Sequence, residues 1–137
     1  MSTARRNAAQ LVHYLRFKVN FNDPGIAAGV GKQTLPKGAI IIGTDVAVTA
    51  LFNAGTTNVL TVGSAAGANS DIVAAADVNE GALGLTQNIK PTGAMLGPIA
   101  NDTQVFAQFT QSGNAATAGA AYVVIKYVVD NDLNAGQ

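Results

Sequence analysis

The sequence predicts an all-β domain, a jelly-roll-like β-sandwich of about six to eight strands. Several runs alternate apolar with polar residues and are rich in β-branched side chains, which is typical of strands that bury one face. The connections between these runs are long and rich in glycine and alanine. The chain has 137 residues and no cysteine, so a single core is expected to hold one domain without disulfides. We expect an extended N-terminal arm over residues 1–10, the sandwich over 11–130 and a C-terminal tail over 131–137.

The first predicted strand is Leu11–Phe21, which alternates over its whole length. A turn at Asn22–Gly25 ends this strand, because Asn, Asp, Pro and Gly each favour turn geometry. The following segment, Gly25–Lys37, is predicted to be a loop. His13 falls on the inward face of the strand, where a single histidine is expected to be a packed or interfacial residue.

The segment Pro36–Gly63 is predicted to form the central hairpin of the domain. Its arms are Ala39–Phe52 and Asn58–Gly63, two apolar runs separated by an Asn/Gly/Thr-rich turn. Gly43 and its neighbours interrupt the first arm and predict a bulge or bend there.

Three further strands are predicted at Leu83–Ile89, Thr103–Thr110 and Ala120–Val129. Asp71–Ala76 has features of both helix and strand, and the sequence leaves it open. Ala120–Val129 is apolar on both faces, which indicates a strand that is central in the sandwich or at an interface. We expect it to pack against the hairpin as its partner across the sandwich.

The low share of charged residues predicts that partners cover much of the surface. Only 12% of the residues are charged, against a usual share of about 25%. The net charge is zero, but six of the eight basic residues come before Gly38 and seven of the eight acidic residues after it. We expect contacts between neighbouring chains from the basic arm, from the polar face of the first strand and from one face of the last strand: Arg5, Arg6, Tyr14, Arg16, Lys18, Tyr122, Val124, Lys126 and Val128.

Catalytic chemistry is not expected. The chain has one histidine, no cysteine and no Gly-x-Ser-x-Gly motif, so neither a nucleophile site nor a cupin-like metal site can be assembled from recognisable parts. The glycine loop at Gly29–Thr34 lacks the first glycine and the Lys-Ser/Thr step of a phosphate loop. Asp77 and Glu80 would suit either turns or a calcium ion, and turn chemistry is the simpler interpretation. We therefore predict no enzyme activity and no cofactor.

Nucleic acid and membranes are not expected as partners. Tyr14, Arg16 and Lys18 make the one basic, aromatic strand face, and the neutral net charge does not support a nucleic-acid interface. The chain contains no apolar run long enough for a membrane span and no signal-peptide pattern.

Two segments carry a resemblance to a known family. LPKGAIIIGTDVAVTALFNAGTTNVLTVG (residues 35–63) and AATAGAAYVVIKYVV (residues 115–129) resemble capsid cement or decoration proteins of tailed bacteriophages, of the Bordetella-phage jelly-roll type. The matching marks include the motif Phe52-Asn53-x-Gly55-Thr56-Thr57. The resemblance implies a non-enzymatic virion protein on the outer surface of the capsid, which binds the major capsid protein and cross-links capsomers. It also implies a homo-oligomer, a dimer or a trimer. The alternative is a tail or fibre module that binds host glycans.

Overall fold

A computed structural model describes residues 11–67 and 69–129, and seven strands lie within them. The strands are β1 (His13–Asn20), β2 (Val30–Leu35), β3 (Ile40–Ala50), β4 (Thr57–Gly63), β5 (Gly84–Ile89), β6 (Thr103–Ser112) and β7 (Ala120–Val128). A 3₁₀ turn, Gly93–Leu96, connects β5 to β6. The predicted arm and the predicted tail lie outside the described residues.

The strands form two antiparallel sheets that pack face to face. One has four strands in the order β1-β7-β3-β5, and the other has three in the order β2-β6-β4. Alternation of buried and less buried residues is clearest in β7, where every second side chain from Ala121 to Tyr127 is buried. The predicted all-β, jelly-roll-like sandwich is confirmed, and β7 is a central strand as its two apolar faces predicted.

The predicted hairpin is wrong. β3 pairs with β7 and β5, whereas β4 pairs with β6 in the opposite sheet. The connection between them cannot close a hairpin because its amides bind other segments: Gly55 N donates to Asn114 O at 2.8 Å and Thr56 N to Ser112 O at 2.9 Å. The chain therefore crosses from one sheet to the other here. β7 is accordingly the neighbour of β3 within one sheet and not its partner across the sandwich.

The predicted loop at Gly25–Lys37 contains β2, so that prediction is also wrong. β2 is a short edge strand whose register against β6 shifts between Gly31 and Gln33. The shift breaks the period-two alternation, and Leu35 is the one residue of the strand that is buried. The turn before it at Asn22–Gly25 is confirmed, with Asp23 N donating to Asn20 O at 3.2 Å. The bulge predicted near Gly43 is also confirmed, because β3 shifts register against β7 between Ile41 and Gly43.

The core lies between the two sheets and consists of apolar side chains of moderate size. Phe52 and Phe109 meet at its centre, with ring centroids 4.8 Å apart. His13 stacks on Tyr127 with ring centroids 5.8 Å apart, which fits the packed role expected for it. The fully buried large side chains come from both sheets and from the segment after β4: Val19, Leu35, Val46, Leu60, Val62, Ile72, Val73, Val105, Phe109, Val123 and Ile125.

The segment after β4 covers the outer edge of that strand. Leu60 N donates to the Glu80 carboxylate at 2.9 Å, and Ser64 N donates to the Asp71 carboxylate at 2.9 Å. Between these bonds, Val62 and Val73 form an antiparallel bridge. Asp71–Ala76, which the sequence left open, is thus neither a helix nor a full strand but an edge cover.

No helix in the described part of the chain is long and apolar enough to cross a membrane.

Candidate assembly surface

Seven of the nine predicted contact residues share one surface. The antiparallel register of β1 and β7 places Tyr14 opposite Lys126, Arg16 opposite Val124 and Lys18 opposite Tyr122. These side chains alternate with the buried ones, so they project from the outer face of the four-stranded sheet. Val128 continues the same row on β7. The remaining two, Arg5 and Arg6, lie outside the described residues.

Two cations of β1 surround one aromatic ring of β7. Arg16 Cζ lies 4.8 Å from the centroid of the Tyr122 ring, and Lys18 Nζ lies 5.6 Å from it. Such contacts orient the cations without neutralising them. In the described part of the chain, neither cation forms a salt bridge, so this face presents positive charge.

The third cation of this face is already paired. Lys126 Nζ lies 3.3 Å from Asp45 Oδ2 on β3 and donates to Asn88 Oδ1 on β5 at 3.1 Å. Asp45 also accepts a hydrogen bond from Asn88 N at 2.9 Å. This network links β7, β3 and β5 on the outer face, and it makes Lys126 a structural residue more than a free contact.

In the described part of the chain, the large apolar side chains that are exposed lie on or beside the four-stranded sheet. The large hydrophobic residues that are exposed belong to the strands of the four-stranded sheet, to residues directly beside those strands and to the 3₁₀ turn: Leu11, Val12, Tyr14, Ile40, Ile42, Leu51, Leu83, Leu85 and Leu96. None of the nine belongs to β2, β4 or β6. An apolar set restricted to one face marks an interaction surface, whereas scattered apolar residues would need no explanation.

Four residues of this set, Val12, Ile40, Ile42 and Leu96, form the first apolar cluster together with the half-buried Val128. Ile40 lies opposite Val128. The neighbouring pair His13–Tyr127 brings Val12 to the other side of Val128, one residue further along the antiparallel ladder. Leu96 lies beside them, because the next residue, Gly97, packs so closely on this strand that an added β-carbon would lie 3.3 Å from Ile40 Cα and 2.8 Å from Ala39 O.

The second apolar cluster, Leu51, Leu83 and Leu85, lies at the opposite end of β3. Leu85 is opposite Ala47, and Leu51 directly follows β3. Along β3, Ile42 and Ala47, which lies opposite Leu85, are five residues apart, so the nearest members of the two clusters are separated by roughly 16 Å at the usual rise of a strand. Arg16 and the network around Lys126 lie between the clusters, and Lys18 is level with Leu85.

The sequence did not single out these clusters. Ile40–Ile42 is an unbroken apolar run, which indicates a core strand, and the bulge that turns part of it outward depends on pairing with β7. Leu83 and Leu85 alternate with glycine and threonine, a pattern that gives no indication of which face is buried.

The chain itself covers part of the outer face of the three-stranded sheet. Gln108 Nε2 donates to Ala27 O at 2.9 Å, and Gly67 N donates to Ala28 O at 2.7 Å. Two loops, one before β2 and one after β4, therefore meet over β6. This face offers neither the charge nor the apolar residues of the other sheet.

The acidic side chains near the loops serve the fold. Asp77 accepts a hydrogen bond from Ala74 N at 2.9 Å, as expected for a turn residue. Burial raises the pKa of Glu80, although hydrogen bonds from the amides of Leu60 and of Glu80 itself oppose the rise. Within the described residues, no group of three or more potential ligands could hold a metal ion.

Asp23 and Lys32 form a second structural ion pair, at 2.8 Å, beside the first turn. Burial raises the pKa of Asp23, but hydrogen bonds from the Asn20 amide and from Lys32 outweigh it, and the net pKa is lowered. Lys32 is therefore engaged in holding the turn to β2.

A groove of about 490 Å³ beside the 3₁₀ turn is lined by Ser64, Ala94, Met95, Pro98, Ile99, Ala100, Asn101 and Thr103. It contains no aromatic and no charged side chain. Sugar sites and catalytic sites are usually built around such groups, so the groove supplies neither kind of chemistry.

No family model matches the chain, and no curated protein matches it. Among solved structures, a chain of the cyanophage Pam1 capsid asymmetric unit is similar, with 21% identity and a TM-score of 0.65 over 86% of this chain and 84% of the other. A chain of the capsid of Ralstonia phage GP4 has 18% identity and a TM-score of 0.61, over 92% and 89%. A chain of the acid-stable capsid of Helicobacter pylori bacteriophage KHP30 has 15% identity and a TM-score of 0.59, over 88% and 90%. The fold is thus one that chains in phage capsids adopt.

Proposed function

We propose that this chain is a non-enzymatic structural protein of a phage virion, which binds the outside of the major-capsid shell and stabilises it by cross-linking capsomers. The observation that carries the proposal is the outer face of the four-stranded sheet. That face holds the two apolar clusters and the cations Arg16 and Lys18, which form no ion pair within the described residues, whereas loops of the chain cover part of the other sheet.

The three capsid structures support the proposal through their fold and through chain size. The aligned parts make up similar shares of both chains in each comparison, so the similar chains are of nearly the same length as this one. In each case a small β-sandwich is present in a phage capsid. A protein of this size would act as an additional component beside the shell-forming subunit.

Shell binding would draw on many modest contacts. Apolar surface contributes roughly 25 cal/mol per Å² when it is buried, so each exposed leucine could add on the order of 2 kcal/mol. The repeating lattice of a capsid makes such contacts effectively tight through multivalency. The two clusters, whose nearest members are roughly 16 Å apart along β3, would allow one molecule to contact two neighbouring capsomers.

Positive charge would guide the same face onto the shell. Arg16 and Lys18 lie on the same face as the clusters without a carboxylate partner among the described residues, and they would suit an acidic capsid surface. Arg5 and Arg6 are proposed to extend this contact from the N-terminal arm.

The proposal is tested by adding the purified protein to expanded shells that lack it. We expect the wild type to bind and to raise the resistance of the shells to heat and to chaotropes. Leu96→Lys, which places a charge in the first apolar cluster, should weaken binding by about tenfold or more, equivalent to about 1.4 kcal/mol. The matched control Thr110→Lys adds the same charge to the outer face of β6 and should bind like the wild type. Shells that neither bind the protein nor gain resistance would refute the proposal.

A further inference from the structure

Strand β5 contains an extra residue relative to its neighbour β3. Thr44 pairs with Ile89, and Val46 pairs with Thr86. Two steps along β3 are therefore matched by three steps along β5, which is the arrangement of a β-bulge. Within the bulge, Asn88 has a φ of 60°, a left-handed conformation that asparagine adopts more readily than most residues. The residue at the strained position of β5 is thus one that suits it.

Two side chains and a glycine hold this bulge. A bulge leaves its extra residue without a partner in the ladder, and here Asp45 Oδ1 accepts the hydrogen bond of Asn88 N at 2.9 Å. Lys126 Nζ, on β7, donates to Asn88 Oδ1 at 3.1 Å and lies 3.3 Å from Asp45 Oδ2. Gly43 makes room for this contact across β3, because an added β-carbon would lie 3.3 Å from Asn88 Oδ1 and 3.5 Å from Lys126 Cε.

The bulge determines which face of β5 carries Leu85. Ile89 is buried, as is its partner Thr44, whereas Leu85 is 59% exposed. Leu85 and Ile89 are four positions apart, and in a regular strand such residues point to the same face. The extra residue shifts the register by one and places Leu85 opposite Ala47, on the outer face. Leu83, two residues earlier, has the same phase as Leu85 and is also exposed.

We propose that Asp45, Asn88 and Lys126 are positioning residues for shell binding: they hold the β5 bulge and thereby keep the second apolar cluster on the outer face. Without the bulge, Leu83 and Leu85 would turn toward the core side, and only Leu51 of that cluster would remain outside. The effect of the three residues on the register of β5 stands on the structure alone. Their effect on shell binding rests on the proposed function.

Disulfide formation between β3 and β5 measures the register, because the chain has no cysteine of its own. Ala47→Cys with Leu85→Cys tests the observed register, in which the two residues lie opposite each other. Ala47→Cys with Thr86→Cys tests a regular strand, in which Thr86 would take that place. Cysteines that lie directly opposite on one face are within reach of a disulfide, whereas neighbouring positions point to opposite faces. We expect the first pair to oxidise and the second pair to remain reduced.

Asn88→Val should reverse this result, because a β-branched residue does not tolerate a positive φ. The matched control Gln87→Val places the same side chain on the preceding exposed residue, whose φ is negative, and should retain the disulfide at Leu85→Cys. Deletion of Asn88 removes the extra residue and leaves Leu85 opposite Ala47 in a regular ladder, so the same disulfide should form without the network. An Asn88→Val variant that retains the disulfide at Leu85→Cys, or a deletion variant that loses it, would overturn the inference.

Shell binding then tests the functional part of the inference. Asn88→Val and Leu85→Lys should each weaken binding by about tenfold, because each removes the apolar contact of the second cluster. The two substitutions together should cause no further loss, since they act on the same contact, and Gln87→Val should bind like the wild type. Additive losses would show that Asn88 acts independently of Leu85 and would overturn the positioning role. A wild type that does not bind shells would refute the proposed function, while the disulfides would still decide whether Asn88 sets the register.

Discussion

Asn53 shows why the residues that carry the family resemblance are structural. Its side-chain oxygen accepts hydrogen bonds from Thr117 N at 2.8 Å and Ala118 N at 2.9 Å, and its amide donates to Thr117 Oγ1 at 2.9 Å. Next to it, the ring of Phe52 fills the space where Gly119 has no β-carbon. The two residues hold the β6–β7 connection against the β3–β4 connection.

Asn53→Ala should lower the free energy of unfolding by about 1–2 kcal/mol, because the lost hydrogen bonds join groups that water reaches in part. Urea unfolding followed by circular dichroism measures this change. Asn101→Ala is the control, since Asn101 is exposed and the structure gives no hydrogen bond to its side chain. Equal stability of Asn53→Ala and wild type would show that the connection is held by other contacts.

Glu80 gives the fold a specific pH dependence. Burial raises the pKa of its carboxyl from the ordinary value of 4.5, so the folded state binds a proton more tightly than the unfolded state. The stability that this provides is complete below the unfolded pKa and is lost as pH rises through the folded pKa. Glu80→Gln keeps an oxygen for Leu60 N but does not titrate.

The free energy of unfolding of wild type minus that of Glu80→Gln should therefore decrease as pH increases above 4.5. Taking the difference removes the contribution of Asp23, which has the opposite sign because its pKa is lowered. Urea titrations at a series of pH values give both curves. A difference that stays constant, or that grows with pH, would contradict the assignment.

At the scale of the strand, β1 and β7 build the charged part of the outer face. Arg16 lies over Tyr122 on the neighbouring strand, which keeps its charge oriented and exposed. Arg16→Gln should weaken shell binding by about two- to fivefold, in keeping with the modest energy of exposed charge contacts. The effect should shrink as salt is added. Binding isotherms at two salt concentrations measure this loss of affinity, with Lys37→Gln as the control. An equal loss of affinity in both variants would mean that only the net charge of the protein matters.

Most strands follow from alternation, but their pairing does not. Local pattern located β1, β6 and β7 through their alternation, and β3, β4 and β5 through short apolar or β-branched runs between turn residues. The sequence did not predict β2, because its bulge breaks the alternation of apolar and polar residues. The hairpin prediction was wrong because the β3–β4 connection is held by Asn114 O and Ser112 O, which lie far along the chain. The sequence correctly predicted which side chains of β1 share a face and which side chains of β7 share a face. It could not predict that these two faces lie side by side, because that depends on the long-range pairing of β1 with β7.

At the scale of the whole molecule, the two sheets have different surfaces. The loops before β2 and after β4 meet over part of the three-stranded sheet, while the four-stranded sheet leaves its apolar clusters and cations exposed. A molecule whose exposed apolar residues gather on one sheet suits a position on a larger surface.

The most direct test of this account is a cryo-electron microscopy reconstruction of shells to which the protein has been added. We predict density for the sandwich on the shell exterior, with the outer face of the four-stranded sheet against the capsid and with Leu96 and Arg16 in the contact. Density inside the shell, or a sandwich whose three-stranded sheet faces the capsid, would contradict it.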